Sequence, residues 1–378
     1  MFDYETIRVI WWLFTGVVAI GFTLTEGFDF GIGTLLPFLG KSDVERRVIL
    51  NTIGPTWEGN QVWLILLGGA LFAVWPALYA TLFSGLYVAM LLVLFSLFMR
   101  PTGFDFRSKI DNPTWRNAWD WALFVGGAVP PLLLGVLVGN LVQGLPYHLD
   151  QDLRPIYDGS FWALLNPFAL LCGVIGVAAM AFHGAIYLSW RTEDVINRRA
   201  RTAIGLLGPV VIIGLAIAIG WTIAAIGRPE ITSMAGTGAP SNPLNKMVTL
   251  GHSWFSHFAA HPWMFIAPAL GIIGLVVAYL LGKAGHAGSA FLGSSVGLSG
   301  VLLTLGFALF PFLMISSTDP RSSFTIWDAS SSHFTLLLAF WITVVFLPIV
   351  LLYTRWVYKV MWGKVTEQQV LQNTHTLY

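Results

Sequence analysis

Long apolar stretches separated by short polar connections dominate the chain. A membrane-spanning helix needs about 20 predominantly apolar residues, and nine stretches meet that requirement. They cover approximately residues 8–38, 50–75, 79–99, 118–144, 160–189, 203–227, 262–282, 289–316 and 335–358. The pattern therefore predicts an all-α polytopic membrane protein, with about nine transmembrane helices in a single membrane domain over residues 1–378.

Two of these stretches have internal features that affect their boundaries. The first is too long for one straight crossing, which predicts a break or a tilt near Gly27, Gly31 and Gly33. The second and third are separated by one short turn that only Pro76 marks. The longest connection, 228–261, is rich in glycine and proline and is typical of a surface segment with turns.

The basic residues of the loops predict the orientation of the chain. If the N-terminus faces outward, 15 of the 20 basic residues lie on the inner side, which is the cytoplasmic bias of membrane proteins. The inner residues are Lys41, Arg46, Arg47, Arg100, Arg107, Lys109, Arg116, Arg191, Arg198, Arg199, Arg201, Lys283, Arg355, Lys359 and Lys364. We therefore expect a periplasmic N-terminus and a cytoplasmic C-terminus. The start Met1-Phe2-Asp3-Tyr4-Glu5 lacks a basic region, so no cleavable signal peptide is expected.

Composition narrows the function classes. Charged residues make up 10% of the chain, against about a quarter in soluble domains, so soluble enzymes and disordered proteins are excluded. The net charge of +1 gives no indication of a nucleic-acid partner. The single Cys172 excludes an internal disulfide framework, a multi-thiolate zinc site and a cysteine-ligated iron–sulfur cluster.

Three carboxylates lie inside predicted spans, where each costs roughly 2.5–3.5 kcal/mol unless it faces protein or water. Glu26 and Asp29 are three residues apart and share a face if that segment is helical. Glu58 follows the start of the second predicted span by about eight residues, a depth of roughly 12 Å. All three belong to the predicted inner half of the membrane, and Arg100 ends the third span at a position from which it can reach one of them.

These acids support three hypotheses. The first is a half-channel that brings protons in from the cytoplasm. The second is a structural cluster that locks helices together through Asn60, Gln61 and Arg100. The third is a proton- or cation-coupled transporter, since such proteins carry acids on broken helices. The C-terminal half has no second broken, acid-bearing span, which disfavours the transporter.

Histidine usage predicts no haem bound wholly by this chain. Of its eight histidines, only His183 lies inside a predicted span. A lone histidine on an apolar helix is more often a hydrogen-bonded core residue than a ligand, so no metal site is predicted.

Several short sequence motifs with polar residues, embedded in the apolar segments, resemble motifs of subunit II of the cytochrome bd quinol oxidases. The resemblance covers essentially the whole chain, in the same order. The motifs are Glu26-Gly27-Phe28-Asp29-Phe30-Gly31-Ile32-Gly33, Trp57-Glu58-Gly59-Asn60-Gln61-Val62-Trp63, Arg100-Pro101 with Phe104-Asp105-Phe106-Arg107-Ser108-Lys109, Ser241-Asn242-Pro243-Leu244-Asn245-Lys246 and Trp327-Asp328-Ala329-Ser330-Ser331-Ser332. The ending Asn373-Thr374-His375-Thr376-Leu377-Tyr378 also resembles the enterobacterial type of this subunit.

This resemblance implies a terminal oxidase of the bacterial cytoplasmic (inner) membrane. Such a complex oxidises quinol, for example ubiquinol, reduces dioxygen to water and generates proton motive force without proton pumping. Subunit I carries haem d and two b-type haems, and small single-span accessory subunits are possible further partners. Subunit II is expected to form two four-helix bundles plus one extra helix and to pack against subunit I, with no haem ligand and no directly catalytic residue of its own.

The resemblance also assigns expected roles to individual residues. Acids at the positions of Glu58 and Asp29 are candidates for the proton route, together with Glu26, and the region of Trp63 is a candidate dioxygen entrance. A structural quinone is expected in this subunit. Enterobacterial relatives have Asp at positions 26 and 58, where this chain has Glu. The two residue types differ little in reference pKa, but the reach differs by one methylene.

Overall fold

The structure is a computed structural model that describes residues 2–372. Within that range it contains thirteen α-helices and three two-stranded antiparallel sheets. The helices are α1 (Tyr4–Leu39), α2 (Asp43–Asn51), α3 (Trp57–Val74), α4 (Pro76–Gly85), α5 (Tyr87–Phe106), α6 (Pro113–Gln143), α7 (Pro167–Arg191), α8 (Asp194–Ala225), α9 (Trp254–Ala260), α10 (Ile266–Ala284), α11 (Ala287–Leu309), α12 (His333–Val360) and α13 (Glu367–Gln372). The strands are β1 (Tyr147–Leu149), β2 (Pro155–Tyr157), β3 (Arg228–Met234), β4 (Lys246–His252), β5 (Phe312–Met314) and β6 (Phe324–Thr325).

Eight helices of the described range are long and apolar enough to cross a membrane, namely α1, α5, α6, α7, α8, α10 with the short turn before it, α11 and α12. The predicted span without such a helix is the second, 50–75, which corresponds to α3. The first two turns of α3 carry Glu58, Asn60 and Gln61, which reduce the mean hydropathy of this 18-residue helix. Seven of the predicted spans thus match one long helix each, and the region from 50 to 106 is divided differently from the prediction.

The predicted span 50–75 is wrong at its start. Residues 52–56 form turns after the short helix α2, and α3 begins only at Trp57. The chain turns at Trp75, and Pro76 occupies the first turn of α4, where its missing N–H costs nothing. A further bend at Leu86 separates α4 from α5, so the predicted span 79–99 becomes two helices.

The first helix is continuous, so of the predicted break or tilt near its glycines the break is wrong, and the tilt stays a prediction. Those glycines serve close packing instead. A Cβ at Gly31 would overlap the backbone carbonyl of Met180 on α7, and one at Gly33 would lie 3.2 Å from the Cα of Gly127 on α6. With 36 residues and 1.5 Å per residue, α1 is about 54 Å long, nearly twice the thickness of the hydrocarbon core.

The membrane helices fall into two groups. Helices α7, α8, α10 and α11 form a closed ring in which each packs against its neighbours. Helices α1, α3, α5 and α6 form the second group, which joins the first mainly through the contacts of α1 and α6 with α7. Helix α12 packs against α1 and α3 and leaves most of its surface exposed in this chain. This arrangement agrees with two four-helix groups plus one extra helix.

The three small sheets cluster at one end of the molecule with the start of α1. The buried Arg8 donates hydrogen bonds there to the carbonyls of Thr237 and Ala239 and to the hydroxyl of Ser330, which ties the 228–261 connection to α1. That connection was predicted only as a segment with turns, whereas it contains the β3–β4 hairpin and α9.

The other end of the molecule carries ion pairs between predicted inner residues. Arg46 and Arg107 both contact Asp120, each at 2.6 Å, and Arg199 contacts Glu45 at 2.7 Å. The helices therefore alternate in direction as the charge pattern predicts. Which end faces the cytoplasm stays a prediction.

The predicted span 289–316 is wrong at its end, because α11 stops at Leu309. The ending 373–378 lies outside the described residues.

Candidate functional site

The centre of the candidate site is a buried group of two carboxylates and one guanidinium. Glu26 and Asp29 lie three residues apart in α1 and both point toward Arg100 of α5. Nη1 of Arg100 pairs with Oε1 of Glu26, and Nη2 lies 3.9 Å from Oδ2 of Asp29. The exposed fractions of the three residues are 0%, 1% and 3%. One cation is thus shared by two acids in a site closed to solvent.

Two neutral polar side chains extend this group. The amide of Asn60, in α3, donates a hydrogen bond of 2.8 Å to Oδ2 of Asp29. The hydroxyl of Tyr358, near the end of α12, donates one of 2.7 Å to the Oδ1 of Asn60. The buried polar chain therefore consists of the buried Glu26, Arg100, Asp29 and Asn60 and ends at the half-buried Tyr358, and four different helices contribute to it.

Aromatic rings enclose the guanidinium. Its central carbon lies 5.0 Å from the ring centroid of Phe30 and 5.6 Å from that of Trp57. Trp57 in turn stacks on Phe104 at 4.9 Å. Ring faces attract a delocalised cation and exclude water, so these contacts hold the charge of Arg100 in an otherwise apolar space.

The buried polar chain has spare hydrogen-bonding capacity. Within residues 2–372, Oε2 of Glu26, Oδ1 of Asp29 and Nη2 of Arg100 have no hydrogen-bond partner, nor does Nε1 of Trp57. Two ionised carboxylates and one guanidinium would also leave a net negative charge in a buried space. Because burying net charge is costly, a proton on one carboxyl completes the charge balance. The group is therefore suited to gaining and losing one proton.

Glu58 is not part of this group. The helix start from which its depth of about 12 Å was predicted is wrong, because α3 begins at Trp57 and Glu58 lies exposed in its first turn. Its depth in the membrane stays a prediction. Gln61 is half-buried and lies outside the buried polar chain. Both residues border a strongly exposed apolar face of α3 that includes Val62 and Ile65.

Trp63 is buried between α1 and α3. A Cβ added to Gly21 would lie 2.9 Å from its indole ring, so the ring fills the space that the glycine leaves. Its apolar surroundings include Phe22 and Val93. These contacts describe a packed core position, and a role in dioxygen entry stays a prediction.

His183 has the environment of a core histidine. Its Nδ1 lies 2.8 Å from the hydroxyl of Ser294, and its Nε2 lies 3.1 Å from the carbonyl oxygen of Leu24. Its ring stacks on Phe291 at 4.7 Å. Since both ring nitrogens are engaged, His183 does not fit the role of an axial haem ligand. Among the described residues, no three His, Cys, Asp or Glu side chains group as a metal site.

Sequence reasoning missed several residues that complete the site. Tyr358 belongs to the last span and carries no local signal that connects it to Asn60, 298 residues earlier. Trp57 directly precedes Glu58 in the motif 57–63, and its membership of that motif was the sequence signal that could have identified it. Asp120 was not among the predicted site residues, yet it is fully buried in α6 between Arg46 and Arg107.

The chain matches the family model described as cytochrome bd terminal oxidase subunit II over residues 7–361. It is 48% identical over 379 residues to the cytochrome bd-I ubiquinol oxidase subunit 2 of Escherichia coli strain K12, with 100% of both chains covered. It is 31% identical over 368 residues to the cytochrome bd ubiquinol oxidase subunit 2 of Bacillus subtilis strain 168, which covers 96% of this chain and 98% of that one.

Among solved structures, the bd oxidase from Geobacillus thermodenitrificans is similar to this chain with a TM-score of 0.66. The identity is 15%, and the match covers 98% of this chain and 100% of that chain. At this identity the similarity shows the fold alone.

Proposed function

This chain belongs to the cytochrome bd terminal oxidase subunit II family, and we propose that it conducts protons from the cytoplasm toward the site of dioxygen reduction in its partner. As a member of that family it is a subunit of a quinol oxidase complex and a multi-pass protein of the bacterial inner membrane. The family match favours this role over the transporter hypothesis. The transporter hypothesis relied on acids carried by a broken helix, whereas α1, which carries Glu26 and Asp29, is continuous.

The family implies haem in the complex and subunit I as the partner. We propose that subunit I ligates haem d and both b-type haems, which there supply the electron transfer and dioxygen chemistry. The hydrogen bonds of His183 support this division, since both of its ring nitrogens are occupied within this chain. Small accessory subunits and the identity of the quinol stay predictions from the resemblance.

The buried polar chain carries the proposal. Tyr358 places a hydroxyl near the basic end of α12, and Asn60 connects it to Asp29. Asp29 and Glu26 each keep one oxygen without a hydrogen-bond partner in the described chain, so each has an atom that can accept a proton. In this proposal Arg100 stabilises whichever carboxyl is ionised, and the proton passes between the carboxyls of Asp29 and Glu26. The hydrogen bonds of Tyr358 and Asn60 position Asp29 and carry no proton themselves.

Glu58 enters the proposal at the surface of this subunit. Trp57 stacks on Phe104, which lies about one helical turn inward from Arg107, so the start of α3 is near the basic end. A carboxylate beside an exposed apolar face is costly against lipid. We therefore propose that subunit I covers this face and that Glu58 accepts or passes protons at the boundary.

Two further expectations belong to the same proposal. Dioxygen is expected to enter near Trp63, through the apolar contact between α1 and α3. A structural quinone is expected in this subunit, and the apolar cleft between α5 and α6, lined by Met90, Leu134 and Phe161, is a candidate position. That cleft has about 20 Å³ of free volume, so side chains must move before a quinone ring fits.

Replacing Asp29 tests the proton role directly. The variant Asp29→Asn keeps the size and an acceptor oxygen for Asn60 but cannot ionise. We expect quinol-driven dioxygen consumption to fall about 100-fold, at the lower end of what proton-transferring side chains contribute. Haem content and the yield of the assembled complex should stay normal. Both are measured on the purified complex, by absorption spectroscopy and oxygen electrode.

The matched control is Glu367→Gln, the same acid-to-amide change at an exposed position of α13 at the same end of the molecule. Its turnover should equal that of the parent. If Asp29→Asn instead loses the assembled complex while the residual complex turns over normally, the acids serve only to hold the helices together, as the structural hypothesis states.

Glu58→Gln should also slow dioxygen reduction while assembly and haem content stay intact. The loss is expected to be smaller, on the order of tenfold, because Glu58 is exposed and water can replace part of its function. Membrane potential generated by reconstituted vesicles provides the second measurement. Normal turnover together with a normal potential would remove Glu58 from the route.

A further inference from the structure

A basic groove lies at the end of the molecule opposite the small sheets, between the start of α8 and the end of α10. It is open, has a volume of about 420 Å³ and is lined by Arg198, Arg201, Thr202, Gly205, Leu206 and Lys283. The guanidinium of Arg201 donates a hydrogen bond to the carbonyl of Lys283, which fixes Arg201 against the end of α10. Three cationic side chains therefore converge on one groove.

These cations differ from their neighbours in having no carboxylate close by. Arg199, on the same helix, pairs with Glu45, and Lys364 pairs with Glu193. Within residues 2–372, no carboxylate oxygen lies within 4.0 Å of the charged groups of Arg198, Arg201 or Lys283. The groove is thus a site of uncompensated positive charge, which attracts an anion.

The groove continues into an apolar surface that runs along the membrane helices. On α8 the exposed residues Leu206, Val210 and Ile213 recur at helical spacing. On the adjacent α10, Ile273 and Leu280 are exposed. A ligand that occupies both surfaces has an anionic head and an apolar chain.

We propose that this groove binds an anionic phospholipid. Its phosphate lies among Arg198, Arg201 and Lys283, and one acyl chain follows the exposed apolar residues of α8 and α10. A phosphate group alone would contact only the cations, and an acidic protein segment would leave the apolar surface of α8 and α10 uncovered. A phospholipid satisfies both parts, and basic pockets at membrane-helix ends are typical sites for anionic head groups.

The test is a titration of the purified, delipidated oxidase complex with dioleoyl phosphatidylglycerol, followed by native mass spectrometry. The double variant Arg198→Gln/Lys283→Gln removes two cations and leaves Arg201, whose hydrogen bond supports the end of α10. We expect binding to weaken about 25-fold, since each basic side chain near an anionic lipid contributes a factor of about five. Dioleoyl phosphatidylcholine should bind weakly and equally to parent and variant.

The matched control is Lys41→Gln/Lys109→Gln, which removes two exposed cations at the same end but outside the groove. It should bind phosphatidylglycerol as the parent does. Equal affinity of parent and groove variant would overturn the proposal. So would full competition by inorganic phosphate at the lipid's own concentration, which indicates a free-anion site, and loss of another subunit from the groove variant, which indicates a protein contact.

Discussion

Replacing Arg100 by methionine is expected to abolish the assembled complex. Arg100 is the countercharge of both Glu26 and Asp29, and all three residues are buried. Removing one partner of a buried ion group leaves the others uncompensated, which costs about 3–5 kcal/mol. That is a large part of the total stability of a typical domain. The measurement is the yield of haem-containing complex after purification, together with its thermal denaturation midpoint.

Two variants separate the charge effect from the loss of a large side chain. The double variant Arg100→Met/Glu26→Gln removes one negative charge with the positive one, so we expect it to recover part of the yield. Arg154→Met makes the same side-chain change in an exposed loop, and its yield should match the parent. An Arg100→Met complex with normal yield and normal melting would show that the ion group does not stabilise this subunit.

Replacing Gly31 by alanine should have the second large effect. The added Cβ would overlap the carbonyl oxygen of Met180 and lie 3.0 Å from the Cα of Gly184. Both obstacles are backbone atoms of α7, which cannot rotate away as a side chain can. The two helices must therefore separate, and we expect destabilisation on the order of 3 kcal/mol, the upper end of the usual cost of overpacking. Thermal denaturation of the purified complex measures this loss.

Gly16→Ala is the matched control on the same helix. A Cβ at Gly16 meets no atom within 4 Å in this chain. Because alanine favours a helix over glycine by about 1 kcal/mol, this variant should be neutral or slightly more stable. If Gly31→Ala melts at the same temperature as Gly16→Ala, the close contact between α1 and α7 is not a requirement of the fold.

The sequence predicted the helical architecture well because span length and apolar character are local properties. It also brought Glu26, Asp29 and Arg100 together, since helical spacing places both acids on one face and Arg100 ends a neighbouring span. The start of α3 was wrong because Gly54-Pro55, a turn signal, was included in a span on the strength of the apolar residues on either side. That error placed Glu58 about eight residues inside a helix, whereas it lies in the first turn of α3 and is exposed in this chain.

Other features depend on contacts that no local pattern contains. The glycines of α1 were interpreted as the place of a break or a tilt because the apolar stretch is too long for one straight crossing. In the folded chain the same residues allow α6 and α7 to approach α1. The β3–β4 hairpin was missed because it lies in a connection rich in glycine and proline and its strands are irregular in register. The position of Tyr358 beside Asn60 follows only from the packing of α12 against α3.

The contribution of α12 to the buried polar chain has a consequence for biosynthesis. The ribosome delivers Asp29, Asn60 and Arg100 to the membrane early, whereas Tyr358 emerges 298 residues after Asn60. Until the last span inserts, the side-chain oxygen of Asn60 lacks the hydroxyl that it accepts from in the finished protein. A nascent chain that stops before α12 therefore carries an incomplete polar cluster inside the membrane, and the cluster is completed only when the last span inserts.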